Sequence, residues 1–243
     1  MKKLFSYQII KQSFKSVWIW WLISSVVISL NLFAFPSVPG IDHTNILSQF
    51  AIQGVSSGNG IIFITICAIL FANVLITSEV DKGTLAITLS TPVTRLQILM
   101  SKALVFIGLL LSISLFVGIC GTLSPLLYNI EFDFNKWWSI MALWFLYSFA
   151  LGGITFAIGC WFNKSRFTIA LASLILVGFF LLNMFAGIER FEFCKYLTLQ
   201  TLFDVPSMIK GESVIWKMIA LPVIAIPLYI IGTIKFLKKD LPL

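Results

Sequence analysis

The residues best placed to do chemistry lie between Glu79 and Arg95. These two charges bracket a stretch that, after Asp81 and Lys82, is Gly, Thr, Ser, Pro and apolar side chains. Such a set suits binding and mechanical fixing better than bond making. Gly83 permits a tight turn. Thr84 to Leu89 reads as one short helix, apolar enough to lie against a surface. Thr91 can cap a second helix with Pro92 at its first position, where proline is favoured. That second helix is expected to run through Arg95 and Lys102. Glu79 and Arg95 are expected to fix this two-piece segment, through an ion pair between them.

Catalytic chemistry has little to work with. His43 is the only histidine. Cys67, Cys120, Cys160 and Cys194 form no C-x-x-C pair, and the first three fall inside apolar runs where Cys acts as a small hydrophobe. Zinc needs several nitrogen or sulfur ligands brought together, so no metal site is expected. A disulfide framework is unsupported as well. No G-x-x-x-x-G-K-[ST] phosphate loop occurs, so the chain has no ATPase site of its own. An intramembrane enzyme would need a nucleophile beside a base. The apolar runs contain no Asp, Glu or His to serve as one.

The elements that must position the 79–95 stretch are set by composition. Of 243 residues, 59% are hydrophobic and 11% charged, against about 25% charged in a soluble domain. A spanning helix needs about 20 mostly apolar residues. Six runs qualify: residues 17–35, 60–77, 103–127, 138–162, 167–187 and 214–234. The first five carry no charge, and the sixth carries only Lys217, near enough to its end to reach the interface. Barrel strands would alternate over about 10 residues; these runs are longer and apolar all round. The first is also longer than the about 7–15 residues of a signal peptide core. It has bulky Phe33 and Phe35 near its end and no A-x-A site, and reads as an uncleaved helix. The fold class is an all-α integral membrane protein, one transmembrane domain over residues 1–243.

Charge sets the orientation. With the N-terminus in the cytoplasm, 12 of the 17 Lys and Arg residues fall on the inner side and seven of the ten acids on the outer side. This satisfies the positive-inside rule and places both termini in the cytoplasm. The net charge of +7 is thereby explained without nucleic acid, for which no basic reading helix is present. Residues 188–213 form an extracellular segment. Residues 1–16 read as an amphipathic helix at the inner surface, with Tyr7, Ile10, Phe14 and Val17 at helical spacing.

Small residues at spacings of four, Ser114, Gly118 and Thr122, then Gly153 and Ala157, are expected to pack helices closely within the chain. Pro222 and Pro227 should kink or start the last span. Trp137, Trp138 and Trp144 are read as interface belt and packing.

The pattern Glu79, three residues, Gly83-Thr84, an apolar turn, then Pro92, Thr94 and Arg95 resembles the membrane subunits of type-2 ABC exporters, the ABC-2 permease family. Residues 195–204 are similar to that family's outer-side stretch YL-[ST]-P-F-x-x-F-D, with Leu199 standing where the pattern has proline. The resemblance implies that residues 79–100 are the coupling segment. Glu79, Gly83, Thr84, Leu85, Pro92, Thr94 and Arg95 would meet a groove of a separate ABC ATPase subunit, present in two copies. A second permease subunit, identical or sister, would complete the membrane half. ATP and magnesium would sit on the ATPase, with no cofactor on this chain. The expected cargo is hydrophobic or amphipathic and is moved across the cytoplasmic membrane. Small permeases of the family often serve export of, or immunity to, antimicrobial peptides; lipids or cations are the other exporter cargoes. A channel or carrier normally needs buried acids or selective polar rings, and it or a membrane anchor is the reading left without an ATPase.

Overall fold

The structure, a computed structural model, describes residues 6–34, 47, 50–51, 55, 59–85, 93–128 and 132–239. Helices form because lipid offers no partner to a bare N–H or C=O, so each segment must satisfy its own backbone. Helix α1 is Tyr7–Ala34. Helix α2, Asn59–Ala72, continues through a π turn, Asn73–Thr77, into the short α3, Ser78–Asp81. Then follow α4, Arg95–Leu127, α5, Phe134–Trp161, and α6, Ser165–Phe185. Two 3-10 segments, Glu189–Leu197 and Leu199–Leu202, lead through α7, Val205–Ile209, into α8, Ile215–Lys238. With α2 and α3 counted as one span, six helices are long and apolar enough to cross a membrane. No strand occurs among the described residues.

Several boundaries differ from the sequence expectation, each for a local reason. Residues 7–16 are helical and run without a break into the first span. The buried stripe there is Ile9, Ser13 and Val17, while Tyr7 and Phe14 face outward. The helix expected to be capped at Thr91 begins instead at Arg95, capped by Thr94. Thr94 Oγ1 accepts from the Gln97 amide at 3.3 Å, and the Gln97 side chain accepts from the Thr94 amide at 2.9 Å. This reciprocal capping box satisfies two amides that the first turn would leave orphaned. Pro92 lies outside the described residues, as does His43. Both Pro222 and Pro227 fall inside α8, which is assigned without interruption.

Helix α5 forms the centre. Trp137, Trp144 and Tyr147 on it are fully buried, so those two tryptophans belong to packing; Trp138 is partly exposed at the surface. A Cβ at Gly121 of α4 would lie 2.1 Å from the Trp137 ring, so glycine there makes room for the indole. The Trp137 Nε1 donates to the Gly118 carbonyl at 3.0 Å. On its other side α5 packs along α8. Gly153 faces the backbone of Ala225, and Ala157 faces Gly232. Both small-residue stripes thus serve contacts within the chain, as lipid-embedded packing favours.

Alternation of the six spans puts Ser6, the residues after Asp81, the turn at 162–164 and Lys239 at one end of the bundle. We call this the loop face. The 3-10 segments and α7 lie at the far face. Helices α6 and α8 are the least buried of the six spans, and each presents a long apolar surface.

Candidate functional site

The loop face carries the densest set of polar contacts between spans. Its base is the π turn. The Ser78 amide bonds to the Asn73 carbonyl, five residues back. The extra residue breaks the regular α ladder, a feature of functional hinges. The Leu75 carbonyl in this turn accepts from Lys102 Nζ on α4. The same ammonium pairs with the Glu79 carboxylate. Lys102 is 3% exposed, so its charge is held by two acceptors inside the bundle. A buried charge is tolerated only when paired and hydrogen-bonded in this way.

Thr77, also buried, closes the turn from the opposite side. Its hydroxyl donates to the Gly159 carbonyl of α5 at 3.1 Å and lies 3.1 Å from the Thr168 hydroxyl of α6. One segment, residues 73–79, therefore contacts α4, α5 and α6 through polar groups.

Beyond it the chain turns at Gly83, whose φ is +69°. The Gly83 amide donates to the Val80 carbonyl at 3.1 Å, closing the end of α3 as glycine in the left-handed region commonly does. Thr84 Oγ1 donates to the Glu79 carbonyl at 3.2 Å. Leu85 is buried against the core.

The two ends of the loop grip two different helices. Asp81 Oδ2 accepts from the Ser165 amide at 3.1 Å. It thereby caps the start of α6, where an anion also meets the positive end of the helix dipole. Arg95 Nη1 donates to the Lys239 carbonyl at 3.3 Å, at the end of α8. Lys239 Nζ in turn donates to the Cys160 carbonyl of α5 at 3.1 Å.

The expected Glu79–Arg95 ion pair is therefore not the one formed: Glu79 pairs with Lys102 and Arg95 reaches a main-chain carbonyl. The reason is geometric. Arg95 is the first residue of α4, and Lys102 lies about 10 Å further along it at 1.5 Å per residue. Glu79, on the last turn of the second span, is level with the second. The structure brings together Glu79, Gly83, Thr84 and Leu85 on one side of the loop and Thr94 and Arg95 on the other. The intervening residues, Pro92 included, lie outside the described part. Lys102, Thr77, Thr168 and Asp81 were not singled out from sequence. Lys102 had a signal: a lone lysine immediately before an uninterrupted apolar run.

At the far face, residues 195–204 fold back onto the bundle. Leu199 is buried, and Phe203 stacks on Tyr147 with ring centroids 5.1 Å apart. Asp204 caps α7 by accepting from the Ser207 amide at 3.1 Å and pairs with Lys217.

Among the described residues no group of three His, Cys, Asp or Glu could hold a metal ion. The arrangement at the loop face can transmit displacement between spans. No curated protein matches the chain. A family described as protein of unknown function, DUF2705, matches residues 8–242, and to that family the chain belongs.

Proposed function

We propose that this chain is the membrane subunit of an ABC exporter, driven by ATP hydrolysis on a separate ATPase subunit. The loop after the second span is its point of attachment. The observation that carries the reading is the double grip of that loop: Asp81 on the start of α6 and Arg95 on the end of α8. A push on residues 82–94 reaches the second and third spans through the chain itself. It reaches α6 and α8 through these bonds. Helices linked in this way move as rigid bodies, the usual form of such transitions. The motif resemblance at Glu79, Gly83, Thr84, Pro92, Thr94 and Arg95 supports the same assignment. The loop face is then cytoplasmic, in line with the positive-inside count, and the cargo crosses the cytoplasmic membrane outward. Its apolar spans suit a hydrophobic or amphipathic cargo.

The test is affinity purification from cross-linked cells in mild detergent, with mass spectrometry and an ATPase assay. We expect a P-loop ATPase to co-purify, and Arg95→Ala or Gly83→Val to release it while the permease stays folded. A chain recovered alone and without ATPase activity would sink the exporter reading and return the channel and anchor readings.

A further inference from the structure

A cleft of about 370 Å³ opens between α1 and α4 at the loop-face end of the bundle, within the size range of small-molecule sites. The two helices run side by side in the same direction and are pinned at two levels. Nearer the loop face the Ser6 amide donates to Ser101 Oγ at 3.0 Å, and further in Trp21 Nε1 donates to Ser112 Oγ at 2.8 Å. Between these pins Gly108 of α4 leaves a notch, since a Cβ there would meet nothing within 4 Å. Phe14 of α1 and Leu104 of α4 line the cleft and are exposed, so it opens sideways, where membrane lipid lies. From Leu104 to Ser112 the α4 wall rises about 12 Å, against about 15 Å for half of a bilayer's hydrocarbon core.

The charge at the mouth of the cleft has one sign. Lys11 lines it and is exposed, and Lys15 lies one turn on, on the same face of α1. Neither α1 nor α4 contains an Asp or Glu. Among the described residues the carboxylates held in ion pairs are Glu79, Asp133 and Asp204, on Lys102, Lys136 and Lys217. Lys11 therefore carries an uncompensated charge. It shares the cleft with Leu104, two residues past Lys102, and so stands near the level at which the second span ends, where lipid head groups begin. We infer that the cleft binds one anionic phospholipid of the leaflet at the loop face, its phosphate on the Lys11 ammonium and one acyl chain laid over Gly108 toward Ser112. A second copy of this chain seated here about a twofold axis would bring two cationic mouths together, so charge favours the lipid. Such a site holds with or without an ATPase partner.

The test is native mass spectrometry of the full chain released from neutral detergent, titrated with dioleoyl phosphatidylglycerol or dioleoyl phosphatidylcholine. We expect a phosphatidylglycerol adduct that saturates at one per chain and binds about fivefold tighter than phosphatidylcholine, the worth of one lysine near a lipid surface. Lys11→Gln should erase this preference. Lys238→Gln, at an exposed lysine of the same face outside the cleft, should leave it intact. Gly108→Leu fills the notch and should weaken both lipids by roughly tenfold, the equivalent of two methylenes losing contact. Monodisperse elution and an unchanged melting profile qualify each variant as folded. Equal loss of preference in Lys11→Gln and Lys238→Gln would mean general attraction to a basic surface and overturn the site. Adducts that accumulate without saturation, or equal affinity for both lipids, would overturn it as well. A mass of two chains that Gly108→Leu reduces to one would give the cleft to a second copy instead. Because no ATPase is present in the assay, each of these failures leaves the exporter reading standing. Loss of ATPase co-purification would likewise leave this site untouched.

Discussion

Lys102, two turns inside α4, meets Glu79 at the end of the second span and bonds at the same time to the Leu75 carbonyl of the π turn. The irregular turn and the ion pair form one unit, since the π geometry leaves a carbonyl free where the lysine needs a second acceptor. Removing one partner of a buried pair leaves the other charge uncompensated. That costs about 3–5 kcal/mol in well-buried cases. Glu79 is 19% exposed, which places this pair at the lower end. Lys102→Met is expected to lose about 3 kcal/mol of stability in thermal unfolding followed in detergent. Glu79→Gln combined with Lys102→Met should regain most of it. A single variant that melts with the wild type would show that the pair contributes nothing.

Gly83 gives a cleaner perturbation of the loop. A Cβ there meets nothing within 4 Å, but φ is +69°. The whole penalty is therefore conformational. Gly83→Ala should cost about 1 kcal/mol, and Gly83→Asn less, because asparagine tolerates the left-handed region better. If the loop docks on an ATPase, Ala should also weaken co-purification more than Asn does. Equal behaviour of the two variants would argue that the turn geometry is not what the site requires.

How much of this was legible in the sequence depends on what each feature leaves in it. The spans were, because a bilayer demands long apolar runs and the charges between them are few. The loop was, because Glu79, Gly83 and Arg95 interrupt that pattern. The π turn was not: Asn73 to Thr77 is one more apolar stretch, and nothing in it marks an extra residue in the ladder. The partner of Arg95 was not, because a main-chain carbonyl at Lys239 has no sequence signature. The level of Lys102 was not, because its helix, expected from Pro92 and begun at Arg95 by the Thr94–Gln97 box, is set beside the second span by packing that no single residue marks.

The fit of Trp137 against Gly121 predicts opposite outcomes for two glycines of one helix. A Cβ at Gly121 would lie 2.1 Å from the Trp137 ring, whereas one at Gly108 meets nothing within 4 Å. Trp137 is fully buried and its indole N–H is already committed to Gly118, so it has no room to move. Gly121→Ala should lose about 1–3 kcal/mol through overpacking. Gly108→Ala should be neutral or gain up to about 1 kcal/mol from helix propensity. The measurement is the shift in unfolding temperature of both variants in the same detergent. A tolerated Gly121→Ala would mean that α4 and α5 pack less closely than described.

Asp204 links the far-face segment to α8, and acid should loosen that link. Burial acts to raise its carboxyl pKa, but the Lys217 ammonium with the Ser207 hydroxyl and amide outweighs it and holds the group below the usual range. A carboxylate lowered on folding stabilises above its unfolded pKa of about 3.9 and loses that contribution as pH falls through the folded value. Asp204→Asn keeps an oxygen to cap α7 and removes the ion pair. The wild type should therefore melt above the variant at pH 6, with the gap narrowing below pH 4. A gap that is constant with pH would assign the effect to packing.

Lys239 titrates in the opposite sense. It stands just past α8 at the loop face, donating to the Cys160 carbonyl while its own carbonyl receives Arg95. Burial pushes its ammonium down to about 8, and the like charge of Lys235 acts the same way. The unfolded value is about 10.4. Between these limits the folded chain binds fewer protons than the unfolded one, so stability rises with pH across the window. The neutral amine can still donate to Cys160, so the Arg95–Lys239–Cys160 chain survives deprotonation. Lys239→Met removes the titrating group and keeps the apolar stem. Melting followed from pH 7.5 to 9.5 should rise more in the wild type than in this variant. Parallel curves would mean that the ammonium stays hydrated at the loop face, and that only its backbone carbonyl takes part in holding α8 to the loop.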